Sequence, residues 1–180
     1  AINAVIETNF ENALSVSKDV DKNFEQRIAN ERFLPIPIGI KDLNDVAGMK
    51  TTYGSPLFQN NKVENDDDVV AHLKDASVMI FGKTNVPEHG FGATTTNPLQ
   101  GSTGNPFNPL LSAGASTGGG AAAVAAGIVP LATGSDFAGS LRTPASFCGI
   151  AGMRPSNGIV GTGRRSNIWS PFDVEGPMAK

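Results

Sequence analysis

Three short runs carry residue types from which covalent catalysis could be built. In Ile38-Gly-Ile-Lys41-Asp42 a lysine follows directly on an apolar run. Such a lysine either reaches solvent from a strand end or stands in a desolvated site, where it can lose its proton and act as a base. The local sequence leaves both readings open. Ser112-Ala-Gly-Ala-Ser116-Thr117-Gly-Gly-Gly120 leads into a stretch of small residues. It is either a tight packing turn or a loop whose N–H groups, at a helix start, suit an anion. Its glycines end in Ala121 rather than in the Gly-Lys-Ser/Thr of a Walker loop, and they do not fall at dinucleotide-binding spacing. In the third run, Thr133 to Pro144, Ser140 follows small residues. Its hydroxyl can stand exposed where the preceding N–H groups converge, which would form an oxyanion hole from backbone alone.

Asp136 and Arg142 are the sole charges between Pro109 and Met153. In so apolar a stretch an unpaired buried charge is costly, so the two are expected to pair and to scaffold the loop. A histidine base has little support. His72 lies on an exposed-looking helix and His89 in a glycine-rich loop after Pro87-Glu88, both reading as surface residues. If Ser140 is a nucleophile, a lysine acting through an intervening hydroxyl is the chemically reasonable activator.

These runs need elements to position them. Residues 1 to 30 read as helical, with Val5, Ile6, Phe10, Ala13, Leu14 and Val16 on one stripe. Leu34 to Ile40 reads as a short strand, and Asp66-Asp67-Asp68 as the capped, acidic start of a helix carrying Val69, Val70 and Leu73. Ser77 to Phe81 reads as a buried strand. Gly119 to Gly127 reads as a buried helix of small residues, and Ile128 to Ala132 as another buried strand, followed by a glycine-bearing turn to Ser140. The order strand, helix, strand points to an α/β sheet with crossover connections.

Composition narrows the function classes. With 180 residues, 39% hydrophobic and 17% charged, the chain can bury a real core. Its net charge is −3, and no basic cluster exceeds the Arg164-Arg165 pair, so nucleic-acid and anionic-membrane binding have no electrostatic support. One cysteine, Cys148, permits no intrachain disulfide and fits a reducing, cytoplasmic setting. One cysteine and two histidines make a soft-ligand metal site improbable. The run Pro106 to Ser135 lacks charge but is too rich in glycine and proline for a membrane span. No signal peptide is visible, although the chain opens on Ala1. Phe172 to Lys180 has no terminal character and reads as a chain continuing beyond it. A single partial domain over 1–180 is expected.

In order and spacing, these runs resemble the amidase signature family, from about residue 34 to the end. The lysine block stands as Pro37-Ile-Gly-Ile-Lys41-Asp42, followed by Asp45-Val-Ala-Gly48 and Thr51-Thr52. Gly82-Lys-Thr-Asn85 with Glu88 is similar to the next block. Gly114-Ala-Ser-Thr-Gly-Gly-Gly120 stands for the family's Gly-Gly-Ser-Ser-Gly-Gly-Ser, and Gly134-Ser-Asp-Phe-Ala-Gly-Ser140-Leu-Arg142 for its nucleophile loop. Gly152-Met-Arg-Pro155 and Gly176-Pro-Met-Ala-Lys180 agree with later blocks.

The resemblance implies an α/β/α sandwich around a mixed β-sheet, incomplete in this chain, and a Ser–Ser–Lys triad without cofactor. Ser140 would attack an amide carbonyl. Ser116, on an unusual cis peptide bond, would pass the proton to neutral Lys41. The backbone N–H groups of Phe137, Ala138, Gly139 and Ser140 would hold the oxyanion, with Asp136, Arg142 and Thr117 in support. Ala115 and Ala138 replace family glycines, so Ala138 must avoid positive φ. The function implied is hydrolysis of small carboxylic amides through an acyl-enzyme. The alternatives are the amidase component of a tRNA-dependent amidotransferase, a non-catalytic scaffold relative and, more distantly, a phosphate-binding protein.

Overall fold

The computed structural model describes residues 2–31, 35–161 and 170–180. Leu34, the first residue of one predicted strand, and the Arg164-Arg165 pair lie outside the described residues.

A six-stranded mixed sheet organises the chain, in the order β1-β3-β2-β8-β10-β9. Its strands are β1 (Val5–Thr8), β2 (Pro37–Lys41), β3 (Met79–Thr84), β8 (Leu131–Asp136), β9 (Ala151–Gly152) and β10 (Val174–Ala179). Two small ribbons lie outside it, β4 (Thr96–Asn97) with β5 (Gly101–Ser102) and β6 (Gly104–Asn105) with β7 (Asn108–Ser112). The helices are α1 (Phe10–Lys22), α2 (Phe24–Asn30), α3 (Asp68–Asp75), α4 (Gly118–Ala125) and α5 (Arg142–Cys148). β2 runs parallel to both β3 and β8, while β1 and β10 join antiparallel. The crossovers β2-α3-β3 and β3-α4-β8 are those that the order strand, helix, strand implied.

The pleat of β2 explains the two faces. Ile38 and Ile40 pack with Val46, Met49, Val70 and Ile80 on the side covered by α3. The alternate residues, Gly39 and Lys41, therefore point to the opposite face. A Cβ at Gly39 would meet Val129 at 3.7 Å and Ala132 at 3.9 Å. Those two belong to the second core, built by α4, α5, Val129, Ala132 and Met178. Lys41 thus projects between the sheet and α4.

From Gly118 to Val124 every residue of α4 is buried. Small residues are what allow this. A Cβ at Gly119 would fall on the backbone N and O of Asn85, and would lie 2.8 Å from the Ala4 carbonyl oxygen. The helix can lie against the end of β3 because position 119 has no side chain.

Three expectations need correction. Residues 1 to 30 are not one helix: Val5 and Ile6 form β1, paired antiparallel to β3. Adjacent β-branched residues suit a strand as readily as a helical stripe, and pairing with β3 decides the matter. Asp67 stands at the N-cap position of α3, but its side chain makes no cap bond. It instead accepts the Asp45 N–H at 2.9 Å, while Asp66 accepts that of Ala47 at 2.7 Å, so the acidic run fastens the 45–47 loop. The strand read over Ile128 to Ala132 begins only at Leu131, after Pro130, and runs on through the supposed turn to Asp136. Among the described residues, no helix is long and apolar enough to cross a membrane.

Candidate active site

Lys41 ends β2 with its side chain fully buried (0% exposed). Its Nζ lies 2.8 Å from Ser116 Oγ and 2.8 Å from Ser135 Oγ, with the Ser135 carbonyl at 3.5 Å. The solvent-reaching reading of this lysine is therefore excluded. Thr133 holds the strand end by accepting the Lys41 N–H at 3.0 Å.

Ser116 is buried in the turn before α4, and the Ala115–Ser116 peptide bond is cis. The next residue, Thr117, donates its N–H to the Ser140 carbonyl at 3.3 Å. Its hydroxyl donates to the Ser135 carbonyl at 3.5 Å. The turn bearing Ser140 thus sits against the turn bearing Ser116. Ser140 itself is half-buried between β8 and α5. Gly134 makes this approach possible, since a Cβ there would stand 2.7 Å from Thr117 Cγ2 and 2.5 Å from Leu141 Cδ2. Another wall is the loop around Gly90, where a Cβ would lie 3.8 Å from Ser116 Oγ.

The 136–142 turn is wound around one carboxylate. Buried Asp136 accepts the N–H groups of Gly139 (2.8 Å), Leu141 (3.1 Å) and Arg142 (3.4 Å). Arg142 adds side-chain bonds at 2.9 and 3.0 Å, and Arg154 Nε stands at 3.4 Å. Burial works to raise the Asp136 pKa, but Arg142 and the three amides outweigh it and hold the carboxyl well below its usual range. The expected Asp136–Arg142 pair is present, with Arg154 as a further cation. Positive φ falls on Gly139 (φ 114) and not on Ala138. Of the four amides in question, that of Gly139 is already donated to Asp136, while those of Phe137, Ala138 and Ser140 belong to the same turn.

His72 and His89 are both exposed, and His89 stacks on Tyr53 at a ring distance of 6.5 Å.

Sequence reasoning missed several residues of the site. Ser135 contacts Lys41 directly. Thr133 and Ser135 alternate along β8, so a period of two around a buried lysine could have identified it. Lys83 and Asp42 form an ion pair at 3.0 Å, both at 0% exposure. Lys83 also donates to the carbonyls of Asn44 (2.8 Å) and Lys50 (3.1 Å) and to Thr51 Oγ1 (2.9 Å). Asp42 in turn accepts from the Thr52 hydroxyl at 2.5 Å. A lysine inside the apolar run Met79 to Thr84 was the available signal, because such a charge needs a partner. Glu175 on β10 is buried and accepts from Asn44 Nδ2 at 3.2 Å.

Comparison with known proteins identifies the family. The chain matches the family described as Amidase over residues 1–180. It is 41% identical over 163 residues to an acylamidase of Rhodococcus erythropolis, covering 89% of this chain and 34% of that protein. It is 36% identical over 179 residues to a glutamyl-tRNA(Gln) amidotransferase subunit of Bacillus velezensis, covering 99% of this chain and 37% of the relative. A solved structure of 6-aminohexanoate cyclic dimer hydrolase with its substrate superposes with a TM-score of 0.87 at 34% identity, over 99% of this chain and 36% of that one. The chain therefore spans about a third of the length of these relatives. With its lysine, glycine and serine loops closing on one another as described, and with the family matched from end to end, the chain belongs to the amidase signature family.

Proposed function

We propose that the protein hydrolyses small carboxylic amides through a covalent acyl-enzyme on Ser140, with Ser116 and Lys41 as its proton relay. The observation that carries this reading is the wholly buried Lys41 Nζ, 2.8 Å from Ser116 Oγ, on a turn held against that of Ser140. Burial favours the neutral amine, which can accept a proton. Ser140 Oγ attacks the amide carbonyl carbon and forms a C–O bond. Its proton goes to Ser116 Oγ, whose own proton passes to Lys41 Nζ. The negative charge moves to the carbonyl oxygen, which is received by amides of the 137–140 turn. Those of Phe137, Ala138 and Ser140 come ahead of that of Gly139, which Asp136 already holds.

Collapse of the tetrahedral species breaks the C–N bond, and the relay returns a proton to the leaving nitrogen, which departs as ammonia or an amine. Water then attacks the ester, the relay takes its proton, and the acid leaves with Ser140 restored. Ser135 holds Lys41 in line. The single buried cysteine favours a reducing, cytoplasmic setting.

The test is labelling by a fluorophosphonate probe together with ammonia release over a panel of aliphatic, aromatic and peptide amides. Labelling at Ser140, with release abolished in Ser140→Ala, is the expected outcome. A folded full-length protein that neither labels nor releases ammonia refutes the reading. Release from glutamine that requires partner proteins assigns the chain to an amidotransferase instead.

A further inference from the structure

We infer that Glu175 is a positioning residue that sets the protonation of Lys41, and so the pH at which the relay becomes a base; this rests on the role proposed for Lys41. Glu175 lies directly across the β8–β10 ladder from Ser135. Facing residues of an antiparallel pair project to the same side of a sheet, about 5 Å apart. Glu175 therefore stands beside Ser135, whose Oγ meets Lys41 Nζ at 2.8 Å. Its far end is also located. Oε1 is 3.2 Å from Asn44 Nδ2, and the Asn44 N–H donates to the carbonyl of Lys41 itself at 2.9 Å. Since β8 lies between β10 and β2, a side chain rooted opposite Ser135 and ending at Asn44 spans β8 towards the end of β2, which Lys41 forms.

The other charges around Lys41 are engaged elsewhere. On β2 and β3, Asp42 and Lys83 pair at 3.0 Å. At the end of β8, Asp136 takes Arg142 of α5 and Arg154 beyond β9. Helix α4 carries no charged residue. Asp67 beyond Asn44 accepts the Asp45 N–H, and in the Gly90 loop Glu88 is half-buried and His89 exposed. Glu175, only 4% exposed, is the buried carboxylate rooted beside the Ser135–Lys41 contact. Its charge favours the protonated lysine. This makes Lys41 a stronger proton acceptor in the relay while moving the onset of activity to higher pH.

Glu175→Gln keeps the shape and an oxygen for Asn44 but removes the charge, and Glu175→Met removes both. In full-length protein with 13C-labelled lysine, the Lys41 Cε titration, assigned with Lys41→Arg, should fall by about one pH unit or more in both variants. The acid limb of Ser140 labelling should move down with it, and the alkaline plateau should drop about three- to tenfold, because the base is weaker. A side chain that merely packs would lower the plateau and leave the midpoint in place, and that result overturns the inference. Should both variants fail to fold, the unsubstituted protein still decides. The Glu175 carboxyl 13C signal must follow the Lys41 step, and its indifference to that step overturns the inference equally. A shifted midpoint in a protein that hydrolyses no amide would refute the hydrolase and leave the charge coupling standing.

Discussion

At the residue scale, the most exacting group after Lys41 is Asp136, a carboxylate surrounded by amides and guanidinium groups. Because its folded pKa is depressed, its contribution is fully present above the unfolded value of 3.8 and is lost as pH falls below it. Denaturant midpoints measured from pH 6 downwards should therefore fall more steeply for the native chain than for Asp136→Asn. At pH 7 that variant should be destabilised by about 3 kcal/mol. Tyr53, the sole tyrosine, gives a spectroscopic check of the opposite sign. Burial, then Asp45, pushes its phenol up to about 12 from 10.0. A phenolate absorbance titration should report that midpoint in the folded protein and about 10 in denaturant. Asp45→Asn should lower the folded value. The stability linked to this group is present below pH 10.0 and is lost as pH rises through about 12.

At the scale of elements, β2 and β3 are tied by the Lys83–Asp42 pair as well as by their ladder. Lys83→Met alone should cost about 3–5 kcal/mol, since it leaves a buried carboxylate without its cation. The double variant Asp42→Asn, Lys83→Met should recover a large part of that in equilibrium unfolding. Gly119→Ala tests the contact between α4 and β3. With no space for a Cβ at the Asn85 backbone, a loss of about 2 kcal/mol or more is expected by the same assay.

These elements also show what was legible in the chain. The apolar strands β2 and β3 and the small-residue helix α4 stood out because their side chains report burial directly. β8 did not. Its Thr133-Gly-Ser-Asp136 half serves the site and so carries turn-like residues inside a strand. β1 was hidden for a different reason: its partner is about 75 residues away in the sequence, beyond any local pattern. The three glycine and lysine blocks located Lys41, Ser116 and Ser140. Ser135, Lys83 and Glu175 matter only through neighbours that the fold supplies.

At the scale of the whole molecule, large apolar side chains stand in water, among them Leu110 (93% exposed), Phe107 (76%) and Ile159 (71%). A 180-residue chain prepared alone should bind an apolar dye and self-associate with rising concentration in ultracentrifugation, and a clean monomer would contradict this. The wiring of the site has a kinetic corollary. Lys41 meets Ser116 across 75 residues of sequence and Ser135 across 94, through two parallel strand pairings. Loops of that span close late, because their entropy must be lost before the contacts form. A nascent or half-folded chain therefore lacks the contact of buried Lys41 with Ser116. With Ser140 as the nucleophile proposed above, its labelling during refolding should act as a stopwatch, starting only when the last crossover has docked.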